Sequence, residues 1–270
     1  MTEWPDRYIH ANGIDIHYYR TGGANKPSII LLHGVMDSGQ CWPRVARDLQ
    51  ERFDVIMPDA RGHGRTTGSL EGLSYNVLAA DVVALIHALD LEKPYLFGHS
   101  MGAMTAATVA ANYPQLARAI ILEDPPLKDA APANADKEEA EQQALRQGIL
   151  SLKALSPEEC LVAARMFNPK WDEIELAPWA EAKVEFNLEF FQYLATVAPW
   201  RELLPRIACP ILLVTGDPES HAIVTPEIAQ QAARLWQNGE VVQVLGAGHS
   251  IHRDRYAETM APVQAFLSRV

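Results

Sequence analysis

The sequence predicts an α/β fold: a mostly parallel, eight-stranded sheet with helices on both faces and an inserted helical cap. Three observations predict it. Short apolar runs alternate with segments of helical spacing, the pattern of a doubly wound sheet. Glycine-rich polar loops follow several of these runs directly, where α/β proteins build their ligand sites. One long stretch, from Leu127 to Pro205, holds no strand pattern and is too long for a loop in a compact sheet. The expected organisation is a core of residues 1–126 and 206–270 with a helical cap at 127–205.

Taken in order, strand-like runs at Arg7 to Ala11 and Ile14 to Arg20 flank Asn12-Gly13, a strong short hairpin signal. Ser28 to Leu32 and Phe53 to Met57 are continuous apolar runs, as expected of strands buried on both faces. A short helix is expected over Trp42 to Leu49. Tyr75 to Leu89 carries Val77, Leu78, Val82, Leu85, Ile86 and Leu89 at helical spacing. Pro94 to Phe97 is the next strand. Met101 to Asn112 is a helix of small residues ended by Tyr113-Pro114, and Ala119 to Leu122 is a strand broken by Pro125-Pro126.

The cap region opens with a loop rich in Ala, Pro and Asp. Ser156-Pro157-Glu158-Glu159 then reads as a helix start with a capping-box glutamate. Trp171, Trp179, Phe186, Phe190, Phe191, Tyr193 and Trp200 concentrate in this region, and their helical spacing assigns most of them to a core. The sheet resumes at Ile211 to Thr215. A helix over Thr225 to Leu235 with Thr225 as N-cap, a last strand at Val241 to Leu245 and a closing helix from Glu258 to Val270 complete the chain.

The 270 residues are 48% apolar and 21% charged, with a net charge of −11. An acidic chain without basic clusters is a poor partner for nucleic acid or anionic membrane. No apolar run reaches the roughly 20 residues of a membrane helix. The segment Met1 to Asp6 shows no secretory signal, and Cys41, Cys160 and Cys209 have no metal-ligand spacing. Reduced thiols and a cytoplasmic setting are therefore expected. Oligomeric state is not readable.

Gly98-His99-Ser100-Met101-Gly102 carries the chemistry. It is a G-x-S-x-G pattern between a strand and a helix, a context that lifts a serine hydroxyl clear of the sheet edge. A Cβ at Gly98 or Gly102 would crowd the crossing strand and helix. A serine needs a base, and the base needs an acid to orient it. Of nine histidines, His249 is best placed, in the glycine-flanked loop beyond the last strand. His252 reads as a surface residue among Arg253, Asp254 and Arg255, His63 as a satisfier of loop hydrogen bonds, and His33 and His99 as flanking the site. Backbone N–H groups of Met101 and Val35 are the expected oxyanion hole.

Leu31-Leu32-His33-Gly34, Pro58 to Gly64, Gly98 to Gly102, Leu213 to Asp217 and Gly246 to His249 together resemble the α/β-hydrolase fold superfamily over nearly the whole chain. The resemblance implies a triad in the order Ser, acid, His, with Ser100 as nucleophile and His249 as base. In many members the acid position falls on Glu219, with Asp217 two residues before it. Here that loop holds extra residues at Ser220 to Val224. In another group the acid follows the strand after the nucleophile helix, which is Asp124. The order of preference is Asp124, Glu219, Asp217. Members that open epoxides or displace halide use an aspartate nucleophile, so Ser100 argues against both activities. The expected function is hydrolysis of small, fairly apolar carboxylic esters or lactones through an acyl-enzyme, without metal or organic cofactor. Acyltransferase, perhydrolase or carbon–carbon hydrolase chemistry on the same scaffold, or a ligand-binding receptor with a retained triad, are the alternatives.

Overall fold

The computed structural model describes residues 4–23, 25–128, 135–193 and 199–270, leaving out the side chains of 135–142. Asn12 and Gly13 both adopt positive φ (50° and 72°). That turn folds β1 (Asp6–Ala11) antiparallel onto β2 (Ile14–Arg20). β3 (Ser28–Leu32), α1 (Pro43–Leu49), β4 (Asp54–Pro58), α2 (Tyr75–Ala88), β5 (Tyr95–His99), α3 (Met101–Asn112) and β6 (Ile120–Glu123) follow in alternation. Five helices come next: α4 (Ala135–Lys153), α5 (Pro157–Phe167), α6 (Glu173–Glu185), α7 (Phe190–Tyr193) and α8 (Trp200–Leu203). β7 (Ile211–Thr215), α9 (Pro226–Ala233), β8 (Gly239–Gln243), α10 (Ile251–Asp254) and α11 (Tyr256–Leu267) close the chain.

The eight strands form one sheet in the order β1-β2-β4-β3-β5-β6-β7-β8. β2 pairs antiparallel with β4, and every pair from β4 onward across the sheet is parallel. Successive strand residues point to opposite faces. Ile30, Leu32, Leu96, Ile120 and Leu213 therefore pack with α2 and α3, while Ile29, Leu31, Phe97, Ile121 and Val214 pack with α1 and α11. Burial on both faces is why these strands read as unbroken apolar runs.

The chain leaves β3 toward β4, then crosses back to place β5 on the other side of β3. At such a reversal the loops beyond the strand ends part and leave a crevice. The loops after β3 and β5 meet there.

One expected strand shifts, and one helix was not expected. The last strand is Gly239–Gln243 and not Val241 to Leu245. As an edge strand it alternates exposed and half-buried residues, and Leu245 is 72% exposed, so apolarity misplaces it. The short helix α10 lies in a stretch with no periodicity long enough to reveal it. Among the described residues, 135–205 hold no strand, and the capping box of Ser156 and Glu159 is formed. The loop expected at the start of that region falls mostly on 129–134, outside the described residues. Phe186, Phe190 and Trp200 are buried, Trp171, Trp179 and Phe191 are half-buried, and Tyr193 is exposed. The three cysteines are free. No helix among the described residues is long and apolar enough to cross a membrane.

Candidate active site

Ser100 stands between β5 and α3 with φ 52° and ψ −115°. A non-glycine residue at positive φ stores strain of order 1–3 kcal/mol and persists only where its surroundings hold it. They do: Ser100 N–H donates to the Glu123 carbonyl (2.8 Å), and the Ser100 carbonyl accepts from Met104 N–H (3.1 Å). A Cβ at Gly98 would run into the backbone of Gly102 and Ala103, and one at Gly102 into the backbone of Leu32. The two glycines of the motif are thus the condition for crossing strand and helix this closely.

The loop after β3 meets the serine. A Cβ at Gly34 would lie 2.9 Å from His99 Nδ1 and 3.3 Å from Ser100 Cβ. Val35 follows Gly34 and packs partly buried against the core, and Met101 N–H opens α3. The first N–H groups of a helix have no partner within it, so they are available to an anion.

His249 Nδ1 donates to Asp124 Oδ2 at 2.6 Å. Asp124 is fully buried, and its two oxygens also accept from Ile223 N–H (2.8 Å) and Val224 N–H (2.9 Å). With Nδ1–H donated to Asp124, Nε2 of His249 carries the lone pair, the tautomer a general base requires. The structure does not bring the other two carboxylates to His249. Glu219 is exposed, and Asp217 accepts from Glu219 N–H (3.1 Å) to cap a single turn at Pro218–Ser220. The extra residues Ser220 to Val224 instead supply the two N–H groups that hold Asp124. Among the described residues the Ser100 hydroxyl makes no hydrogen bond to His249; such contacts are commonly long before substrate binds.

His99 joins the parts. Its Nε2 donates to the His249 carbonyl (2.9 Å), and the two rings lie 4.7 Å apart. Burial, with the neighbouring histidines, pushes its pKa down to about 3, so it is neutral. His33 is also buried and neutral: Nδ1 donates to the Gly34 carbonyl (2.8 Å) and Nε2 accepts from Ala60 N–H (2.9 Å). Burial lowers its pKa. His63 donates to the Arg61 carbonyl (3.1 Å), packs on Phe186 and Phe190, and keeps a buried, unpartnered Nε2.

His252 corrects the sequence reading. It is 1% exposed, and both its N–H and Nδ1 donate to Glu123, at 2.9 and 2.8 Å. Its ring stacks on Trp42 at 4.5 Å. Burial would raise the Glu123 carboxyl, but His252, bonded to it, holds it at about 2. The Glu123–His252 pair therefore runs beside Asp124–His249 on the same two segments. A histidine three residues after His249 was its only signal. Among the described residues no group of three or more His, Cys, Asp or Glu is arranged to hold a metal ion.

At the sheet's reversal point a strained serine on a strand-to-helix turn thus follows His99, whose ring packs on His249, and His249 bonds to a buried aspartate. A sequence profile of the alpha/beta hydrolase family matches residues 29–262, and the chain belongs to that family. It is similar to the 2-(acetamidomethylene)succinate hydrolase of Mesorhizobium japonicum, at 29% identity over 89% of this chain and 88% of that protein. It is likewise similar to the N-formylmaleamate deformylase of Pseudomonas putida, at 28% identity over 91% of this chain and 90% of that protein. The solved enol-lactonase of Burkholderia xenovorans LB400 superposes with a TM-score of 0.72 at 22% identity, covering 97% of this chain and all of that one. At that identity the likeness is one of fold.

Proposed function

We propose that the protein is a serine hydrolase of small, fairly apolar carboxylic esters or lactones. The observation that carries this reading is the 2.6 Å bond between His249 Nδ1 and buried Asp124, with the His249 ring packed on His99, the residue before a serine held at φ 52°. Ser100 Oγ attacks the acyl carbon while His249 Nε2 takes its proton. Asp124 steadies the imidazolium, and the N–H groups of Val35 and Met101 hold the oxyanion. The bond to the leaving alcohol breaks as His249 returns the proton to its oxygen. Water, deprotonated by His249, then attacks the acyl-enzyme and releases the carboxylic acid and free Ser100.

On this reading the described helices from Ala135 to Leu203 act as the cap over this site. Leu127, Phe186, Phe190 and Trp200 belong to the same buried apolar cluster as Met101, which supports an apolar acyl group. A second reading, removal of an acyl group from nitrogen, rests on the likeness to the N-formylmaleamate deformylase. The test is turnover of p-nitrophenyl acetate against p-nitroacetanilide by the wild type and Ser100→Ala. The ester is expected to turn over faster, and Ser100→Ala to lose about four orders of magnitude or more in kcat. Undiminished hydrolysis in Ser100→Ala would sink the proposal.

A further inference from the structure

The loop after β3 carries a second strained residue. Met36 has φ 67°, a left-handed conformation that a methionine adopts only under constraint. Part of the constraint is local: Asp37 N–H donates back to the Gly34 carbonyl at 3.2 Å. The rest comes from another element. Lys183, near the C-terminal end of α6, is 5% exposed. Its Nζ donates to the Met36 carbonyl (2.8 Å) and to Asp37 Oδ1 (2.9 Å). The other Asp37 oxygen accepts from Arg253 (3.0 Å), whose guanidinium also donates to the Cys41 carbonyl (3.0 Å). Asp37 is thus clamped between a cation of the cap and a cation of the core. Burial pushes its carboxyl up, but Arg253 and Lys183 outweigh burial and hold it well below the usual carboxylate range.

The clamp is next to the reacting centre. Met36 follows Val35, whose N–H is proposed above to hold the oxyanion, and Gly34 packs on His99 and Ser100. Donors of an oxyanion hole act within a few tenths of an ångström of their ideal placement. An ordinary ion pair between cap and core would only need to hold two surfaces together. This one grips the carbonyl of a left-handed residue one peptide away from the expected donor. A buried cation is costly unless paired, and both hydrogen bonds of Lys183 go to this loop, while its ammonium also lies 4.6 Å from the Trp179 ring centroid.

We propose that Lys183 is a positioning residue: by docking on Met36 and Asp37, the cap sets the oxyanion loop, so that catalysis requires the cap in its docked place. This rests on the reading of Ser100 as nucleophile and Val35 as oxyanion donor. The cap then does more than shape the pocket. A substrate too small to touch the cap still depends on it, because the dependence runs through the loop.

The test compares Lys183→Met, Lys183→Gln and Glu185→Gln with wild type, using p-nitrophenyl acetate and phenylboronic acid. The boronic acid takes up the serine oxygen and places an anionic oxygen where the oxyanion forms. Glu185→Gln breaks the exposed pair with Arg65 (3.4 Å), which also joins α6 to the core, and is expected to leave kcat and boronate affinity unchanged. Lys183→Met is expected to lower kcat about tenfold to a hundredfold and to weaken boronate binding by the same factor, with KM within about threefold. Lys183→Gln keeps a donor for the Met36 carbonyl and carries the same comparison if Lys183→Met does not fold. A kcat within about threefold of wild type, or a rise in KM alone with boronate affinity kept, overturns the proposal. Turnover retained by Ser100→Ala would instead overturn the reading of the serine on which it rests.

Discussion

Glu123→Gln is the substitution whose cost is most directly set by the structure. The side chain keeps its shape and loses its charge. Glu123 and His252 are 0% and 1% exposed and bond to each other through three contacts of 2.8–2.9 Å. The carboxyl drops from its ordinary 4.5 to about 2, which corresponds to roughly 3 kcal/mol in favour of the ionised form. Leaving a buried hydrogen-bonding partner unsatisfied costs about 1–3 kcal/mol in general, and more where a charged group is involved, the same order. For a chain of this size about 3 kcal/mol lowers Tm by roughly 6–12 °C. The pH dependence has a definite sign. A depressed carboxyl pKa contributes stability that is fully present above 4.5 and is lost as pH falls through about 2. Wild type therefore loses this contribution on acidification and Glu123→Gln does not. Urea unfolding near neutral pH should give a gap of about 3 kcal/mol, narrowing toward about pH 3. A gap under about 0.5 kcal/mol, or one that stays constant with pH, would refute the pairing of Glu123 with His252.

Other substitutions separate the remaining roles. Asp124→Asn should lower kcat for p-nitrophenyl acetate by about four orders of magnitude with the fold retained, while Glu219→Gln and Asp217→Asn stay within about threefold of wild type; equal losses at Glu219 would reassign the acid. Gly102→Ala should give no soluble folded protein, because its Cβ meets the backbone of Leu32; a normal circular dichroism spectrum and Tm would show that strand and helix can part.

The sheet was legible because its strands are buried on both faces and so read as apolar runs between turns. Val241 to Leu245 failed for the opposite reason: the edge strand is half-solvated, and an exposed Leu245 extended the pattern past its end. The places of Ser100 and His249 were legible because a strand-to-helix glycine turn and a histidine beyond the last strand are local features. The partners of His252, Arg253 and Lys183 were not. Ile251-His252-Arg253-Asp254 has the composition of a surface turn, yet His252 and Arg253 are buried, because Glu123 at the end of β6 and Asp37 in the loop after β3 reach them. Lys183 sits in a helix with several acidic residues, and only the packing of α6 against the loop after β3 buries it. Which of the three carboxylates bonds to His249 depends on the same kind of information, since Ile223 and Val224 aim their N–H groups at Asp124 and no spacing encodes that.

The most direct measurement is rapid quench of the wild-type protein with p-nitrophenyl acetate, followed by peptide mass spectrometry. A burst of p-nitrophenol close to one per protein, with the acetyl group on Ser100 and none in Ser100→Ala, is the expected result. Turnover with no acetyl on Ser100, or with the acetyl group on another residue that Ser100→Ala leaves labelled, would contradict it.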